Sequence, residues 1–224
     1  MFKLKISMSI VMVLMLSSSM LYGSDSTSLA HTWALQFRIS SNFMLSSFQG
    51  SNLSAQYYLK DNRAIRTGFS LSGNTNDSEI DRRTTGKSER EQNGFTLVVF
   101  SQYLIYPKEF NRINPYFGFG PYFTFSTSFD KITLYSQDMD IVTNDAVSLG
   151  LLSSIGGEVY VCDGISLTAE YGTRIYYQSS KLINTDKNRM SSDDSWVIVS
   201  QSKETSQGLK LNYESVLFGV SIHF

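Results

Sequence analysis

Cysteine is almost missing from this 224-residue chain, Cys162 being the single one. One thiol can form neither an intrachain disulfide nor a cysteine-based zinc site. Histidine is nearly as scarce, with His31 and His223 the whole supply. Imidazole-based catalysis and metal binding therefore have little material, and we expect no catalytic residue, no metal and no cofactor. Charge of one sign is also missing: the formal net charge is −1. A nucleic-acid binder should show a basic excess or stripe, so that class is excluded. Proline numbers three. After the first segment, no apolar run reaches the roughly 18 residues that read as a membrane-spanning helix.

Aromatic residues are abundant, with 13 Tyr and 15 Phe. Such side chains fit a pleated surface and favour strands. The first residues stand apart. Lys3 and Lys5 precede the apolar run from Ile6 to Leu16, and the small residues Ser17, Ser18, Ser19 and Gly23 follow. This is the pattern of a secretory signal peptide. Residues 1–23 are assigned to it, with cleavage after Gly23 or, alternatively, after Ser19. No cysteine follows the apolar run to carry a lipid anchor. Residues 24–224 read as one domain.

Period-2 alternation recurs through that domain. The first strand runs from about Thr32 to Ser40, with Trp33, Leu35, Phe37 and Ile39 opposite Ala34, Gln36 and Arg38. The second, about Asn52 to Leu59, sets Leu53, Ala55, Tyr57 and Leu59 on one face. The third sets Ile65, Thr67, Phe69 and Leu71 against Arg66, Gly68, Ser70 and Ser72. A fourth runs from about Gly94 to Tyr106. The fifth alternates Phe117, Phe119, Pro121, Phe123 and Phe125 with Tyr116, Gly118, Gly120 and Tyr122. Pro121 lacks a ladder donor, so an irregularity is expected there. The sixth carries Val147, Leu149, Leu151 and Ile155, the seventh Ile165, Leu167, Ala169, Tyr171 and Ile175, and the eighth Val216, Phe218, Val220, Ile222 and Phe224. Three polar segments, Gly73 to Asn93, Phe129 to Asp145 and Ser179 to about Ser206, read as loops. Within the last, Trp196 to Val199 is compatible with a strand continuing beyond the membrane.

Eight strands joined by alternating short turns and long segments predict an all-β, eight-stranded antiparallel up-and-down transmembrane β-barrel. Alternation cannot say which face points inward. Three features favour a polar interior. The polar face is rich in glycine, which suits a lumen barely wide enough for side chains. Its large charges are few and mixed in sign: Arg38, Arg66, Glu158, Glu170 and Arg174. These are expected to form a lumen charge network. The alternating residues ending in Phe224 resemble the C-terminal assembly signal of outer-membrane barrels.

The segments Asn114 to Tyr122, Gly156 to Tyr160 and Asp163 to Gly172, with the last strand, give the chain a wider resemblance. It resembles the small outer-membrane β-barrel proteins of the OmpX/Ail and opacity-protein type. That resemblance implies a bacterial outer-membrane address and a structural, adhesion or interaction role through surface loops. The partners implied are outer-membrane lipid, lipopolysaccharide, the barrel-assembly machinery with its periplasmic chaperones, and a host or surface ligand. A narrow solute channel is the alternative. A lipid-modifying enzyme and a soluble periplasmic ligand-binding barrel rank lower, the first because both histidines fall at the predicted periplasmic end. Thr85–Gly86–Lys87–Ser88 fails as a phosphate-binding loop, because the earlier glycine it needs is replaced by Asp81.

Overall fold

The computed structural model describes residues 29–44, 49–82, 86–107, 113–134, 138–162, 164–189 and 196–224. The signal-peptide residues lie outside this set. Nine strands are present among the described residues: β1 (Trp33–Met44), β2 (Gln49–Lys60), β3 (Arg63–Arg82), β4 (Gly86–Ile105), β5 (Ile113–Leu134), β6 (Asp138–Cys162), β7 (Ile165–Arg189), β8 (Trp196–Tyr213) and β9 (Leu217–His223). Each pairs antiparallel with its neighbour from β1 to β8, and β9 pairs with both β1 and β7. β8 and β9 run one after the other beside β7, so they form a single eighth stave. The backbone of Trp33 and Phe224 exchanges two hydrogen bonds, of 2.9 and 2.8 Å, at the end of the closing seam. The result is a closed, all-β, eight-stave antiparallel barrel.

The apolar residues of each stave face outward. Leu149 and Leu151 are 63% and 65% exposed, and Phe37, Ile65, Phe119, Ile155, Leu167 and Phe218 are likewise exposed. The alternate positions Gln36, Arg38, Gln56, Arg66, Gln102, Ser154 and Glu170 are buried. The barrel is thus inverted relative to a soluble one: its polar face is the interior.

The stave ends differ from the sequence expectation. All three segments read as loops are largely strand. β3 and β4 pair continuously from Arg63↔Ile105 to Arg82↔Gly86. β5 and β6 pair to Leu134↔Asp138, and β7 and β8 to Arg189↔Trp196. These extensions are mostly polar, and their apolar residues, such as Ile141–Val142 and Leu182–Ile183, come side by side, so they lack the alternation by which strands are recognised. The strand continuing through Trp196 to Val199 is present. Pro121 leaves the expected mark: the β4–β5 ladder stops at Phe100↔Tyr122 and resumes at Tyr103↔Phe119.

β1 and β2 are short. β1 pairs with β9 only from Ala34 to Ser40, and β2 meets β3 only up to Leu53↔Phe69. Beyond those pairs, β3 to β8 continue as a six-stranded sheet. Among the described residues, the outer edge of β8 and the edge of β3 beyond Phe69 pair with no strand.

The eighth stave contains a bulge. Its ladder to β7 passes from Thr173↔Tyr213 to Glu170↔Leu217, so Tyr171 and Gly172 face three residues, Glu214, Ser215 and Val216. The Glu214 N–H donates to the Gly172 carbonyl at 2.9 Å. An extra residue switches the alternation. Leu209, Leu211 and Tyr213 point out above it, and Val216, Phe218 and Val220 point out below it.

Candidate functional site

Strand alternation delivers a polar side chain to the lumen from every stave, and the narrow interior forces those side chains into contact. They stack in three levels.

The level nearest the short turns is closed by aromatic rings. Tyr106 lies between Tyr58 and Tyr116, with ring centroids 5.9 and 5.5 Å away. Tyr116 fits because Gly156 faces it: a Cβ there would fall 2.5 Å from its ring. The Tyr58 hydroxyl donates to Glu158 Oε2 at 3.1 Å. Glu158 Oε1 accepts from the Ser166 hydroxyl and lies 3.2 Å from His223 Nε2. Ser166 Oγ is 2.9 Å from the same ring nitrogen. Serine, histidine and a carboxylate therefore meet, but not as a hydrolytic triad. A triad places the acid on the second imidazole nitrogen, where it orients the base. Here Nδ1 of His223 is buried with no partner. His31 sits on the other side of the wall, exposed, with Nδ1 3.2 Å from the Tyr57 hydroxyl.

The middle level holds Arg38, Arg66 and Glu170. Arg38 Nη1 donates to Glu170 Oε1 at 2.5 Å, and Arg66 Nη2 donates to Glu170 Oε2 at 2.5 Å. The Tyr116 hydroxyl also donates to Oε2, at 2.9 Å. Arg66 further donates to Gln36 Oε1 at 3.2 Å and through Nε to Gln102 Oε1 at 3.2 Å. Gln36 continues the network to Ser221 at 3.0 Å, and Gln102 to Ser154 at 3.0 Å. Arg66 is fully buried, and Tyr116 and Gln102 are each 1% exposed. Side chains thus fill the lumen here and below.

Above this plug lies a cavity of about 240 Å³, bordered by Arg38, Glu170, Arg174, Tyr122, Tyr213 and Glu214. Arg174 crosses it, donating to the Tyr122 hydroxyl at 2.6 Å and pairing with Glu214 Oε1. Its guanidinium carbon also lies 4.8 Å from the Tyr122 ring centroid, a cation–π distance.

Of the five lumen charges read from the sequence, the structure brings Arg38, Arg66 and Glu170 together. Glu158 sits below them with Ser166, Tyr58 and His223, and Arg174 sits above with Glu214. Glu214 was not legible, because the bulge shifts it out of the alternation of the last strand. Gln36 and Gln102 lay on the polar face but carry no charge to mark them. Cys162 is exposed at the β6–β7 turn, away from every level.

No protein-family model matches the chain, and no curated protein is significantly similar to it. Solved structures are. The fold is similar to a major outer membrane protein from Thermus thermophilus, with a TM-score of 0.50 and 14% identity, covering 86% of this chain and 98% of that one. CarO2 of Acinetobacter baumannii aligns over 89% of this chain and 100% of its own, with a TM-score of 0.43 and 7% identity. Ail, the attachment invasion locus protein of Yersinia pestis, aligns over 86% and 94%, with a TM-score of 0.37 and 11% identity. The first of these shows the fold: this chain has the architecture of a small outer-membrane β-barrel.

Proposed function

We propose that the chain is an integral outer-membrane barrel, closed to solutes, that holds an interaction surface beyond the bilayer. The observation carrying this reading is the outward apolar belt around a charged, buried interior. Soluble monomers rarely expose contiguous apolar patches above a few hundred Å². In lipid the same belt is the solvated face, and a closed ring meets the demand that backbone groups be satisfied internally. The surroundings in this reading are outer-membrane lipid and lipopolysaccharide, and the barrel-assembly machinery inserts the chain.

Strand length supports the second half of the proposal. A tilted strand crosses a bilayer in roughly 9–11 residues. β6 and β7 have 25 each, whereas β1 and β2 have 12. The surplus of the long strands carries mixed charge, including Asp77, Glu79, Glu89, Arg90, Glu91, Asp130 and Lys131. Among the described residues its two edges, on β3 beyond Phe69 and on β8, join no further strand, which suits an extended segment of a protein partner added there.

Cell fractionation with a heat-dependent gel shift tests the address, and planar bilayers test closure. The expected results are a heat-modifiable band in the outer membrane and no reproducible conductance steps. Recovery in the soluble periplasm overturns the membrane reading, and regular single-channel steps overturn the closed lumen.

A further inference from the structure

Among the described residues three arginines and three glutamates face the lumen, at different levels. Glu158 lies in the lowest level with Tyr58, Ser166 and His223. The middle level sets two guanidinium groups against one carboxylate. Arg174 and Glu214 pair above it. The charged residues bordering the outer cavity, Arg38, Arg174, Glu170 and Glu214, balance, and the extra guanidinium, that of Arg66, lies beneath its floor.

Glu170 is the most fully bonded charge at the cavity, whereas Arg38 and Arg174 each keep a buried Nε without a partner. Glu170 receives Arg38, Arg66 and Tyr116. Glu214 receives Arg174. Arg38 carries five donor N–H groups, yet Glu170 Oε1 is the single acceptor it meets among the described residues. Its side chain is 2% exposed, and its Nε is buried without a partner. The Nε of Arg174 is likewise buried without one. Arg38 shares its one carboxylate with Arg66 and rests over the Phe100 ring at 5.4 Å, so its remaining N–H groups are left for a further acceptor.

Among the described residues no ladder closes the wall beside the cavity. Ser40 and Leu217, the last pair of the β1–β9 ladder, both border the cavity. Above that pair, β1 and β8 share no ladder among the described residues. Leu209, Leu211 and Tyr213 expose apolar surface on β8 next to this gap.

We propose that the outer cavity binds an oxyanion, a carboxylate or phosphate group, between Arg38 and Arg174. Guanidinium forks match the geometry of both groups. The anion can be a small solute entering from above or the headgroup of an outer-leaflet amphiphile whose tail stays in the bilayer beside β8. Neither source requires passage through the barrel, because the level of Arg66, Gln102 and Tyr116 closes it beneath. The inference goes beyond the proposed display role and stands whether or not the external sheet has a partner.

The test uses the folded full chain in uncharged maltoside micelles. Arginine Nε–H resonances are followed while inorganic phosphate, or phosphatidic acid at low mole fraction, is added, with sodium chloride as the ionic-strength control. A saturable shift at Arg38 and Arg174 is expected in at least one arm. Phosphate alone sufficing assigns a soluble ligand, and response to phosphatidic acid only assigns a lipid headgroup. Arg38→Lys keeps the charge beside Glu170 but loses the fork, and should weaken binding about tenfold or more, the scale of a charged hydrogen bond. Arg90→Gln, on the external sheet, should leave binding unchanged. Should Arg38→Lys not fold, Arg174→Gln serves the same comparison and the wild-type titration stands by itself. Absence of a saturable shift with both probes, an equal response to chloride, or unaltered affinity in the folded variant overturns the proposal. Failure here with a heat-modifiable barrel in the outer membrane removes the site and leaves the proposed function standing.

Discussion

Arg38 on β1 and Glu170 on β7 meet across the lumen at 2.5 Å, each side chain 2% exposed and the two residues 132 positions apart in sequence. Glu170 also holds Arg66, so one carboxylate compensates two buried cations. Removing one partner of a buried charge group leaves the others uncompensated, at a cost of about 3–5 kcal/mol. Glu170→Gln should therefore destabilise the folded barrel by about that amount. Glu214→Gln should cost clearly less, because Arg174 is 24% exposed and water screens it. Denaturant unfolding in vesicles measures both, and equal losses would contradict the assignment of Glu170 as the hub.

The bulge on the eighth stave yields a prediction of a different kind. The extra residue at Glu214–Val216 reverses the alternation between β8 and β9. Deleting Ser215 restores strict alternation through the stave. With β8 held by β7, the deletion keeps Leu209, Leu211 and Tyr213 above, and Val216, Phe218 and Val220 below, on the belt face, and it puts β8 and β9 in one register against β7. A one-residue slip moves every side chain beyond it to the wrong face, and a deletion inside β9 imposes one. The Ser215 deletion should therefore retain the heat-modifiable species, and deletion of Gly219 should lower its yield sharply. Loss of the species from the Ser215 deletion, or wild-type yields from the Gly219 deletion, would contradict the assignment of the bulge as one extra residue.

On the external sheet, Arg90 donates two hydrogen bonds to Asp130, at 3.0 and 2.5 Å, and Gln92 adds a third at 3.2 Å. The Arg90 bond lowers the Asp130 pKa below its ordinary value. The sign follows from linkage: a depressed carboxylate stabilises the folded sheet above its unfolded pKa, and the contribution is lost as pH falls through the folded one. A carboxyl titration by NMR should find Asp130 below the ordinary value of about 3.9. Arg90→Gln should move it back up. The effect on overall stability should be small, since the pair is exposed to solvent. An unchanged Asp130 midpoint in Arg90→Gln would contradict the pairing.

The legible part of this architecture was the part with one face in an apolar setting. Phe37, Ile65, Phe119, Leu151 and Leu167 alternate with polar neighbours because the belt and the lumen make opposite demands. That contrast revealed the eight staves, and the glycines, the few mixed charges and the last strand pointed to a polar interior. Outside the belt apolar residues are few and not alternating, so β3 runs through Asn74–Arg82 and β7 through Ser179–Arg189 with no periodic signal, and these stretches read as loops. The lumen charges were legible by parity, but their partners were not. Which arginine reaches Glu170 depends on shear around the ring, a property of eight strands together. Glu214 was hidden by the bulge, and Gln36 and Gln102 by their lack of charge.

The orientation of the barrel follows from its two unequal ends. The β6–β7 turn carries Cys162, exposed and free, and the opposite end carries the long sheet with Val199 62% exposed on β8. Short turns belong to the periplasmic side of such barrels and long extensions to the cell surface. The most direct test is labelling of intact cells with a membrane-impermeant maleimide. Val199→Cys in a Cys162→Ser background should label on intact cells, and native Cys162 should label only after the outer membrane is permeabilised. Protection of Val199→Cys on intact cells, or labelling of Cys162 without permeabilisation, would contradict the account of an inverted barrel spanning the outer membrane with its long sheet outside.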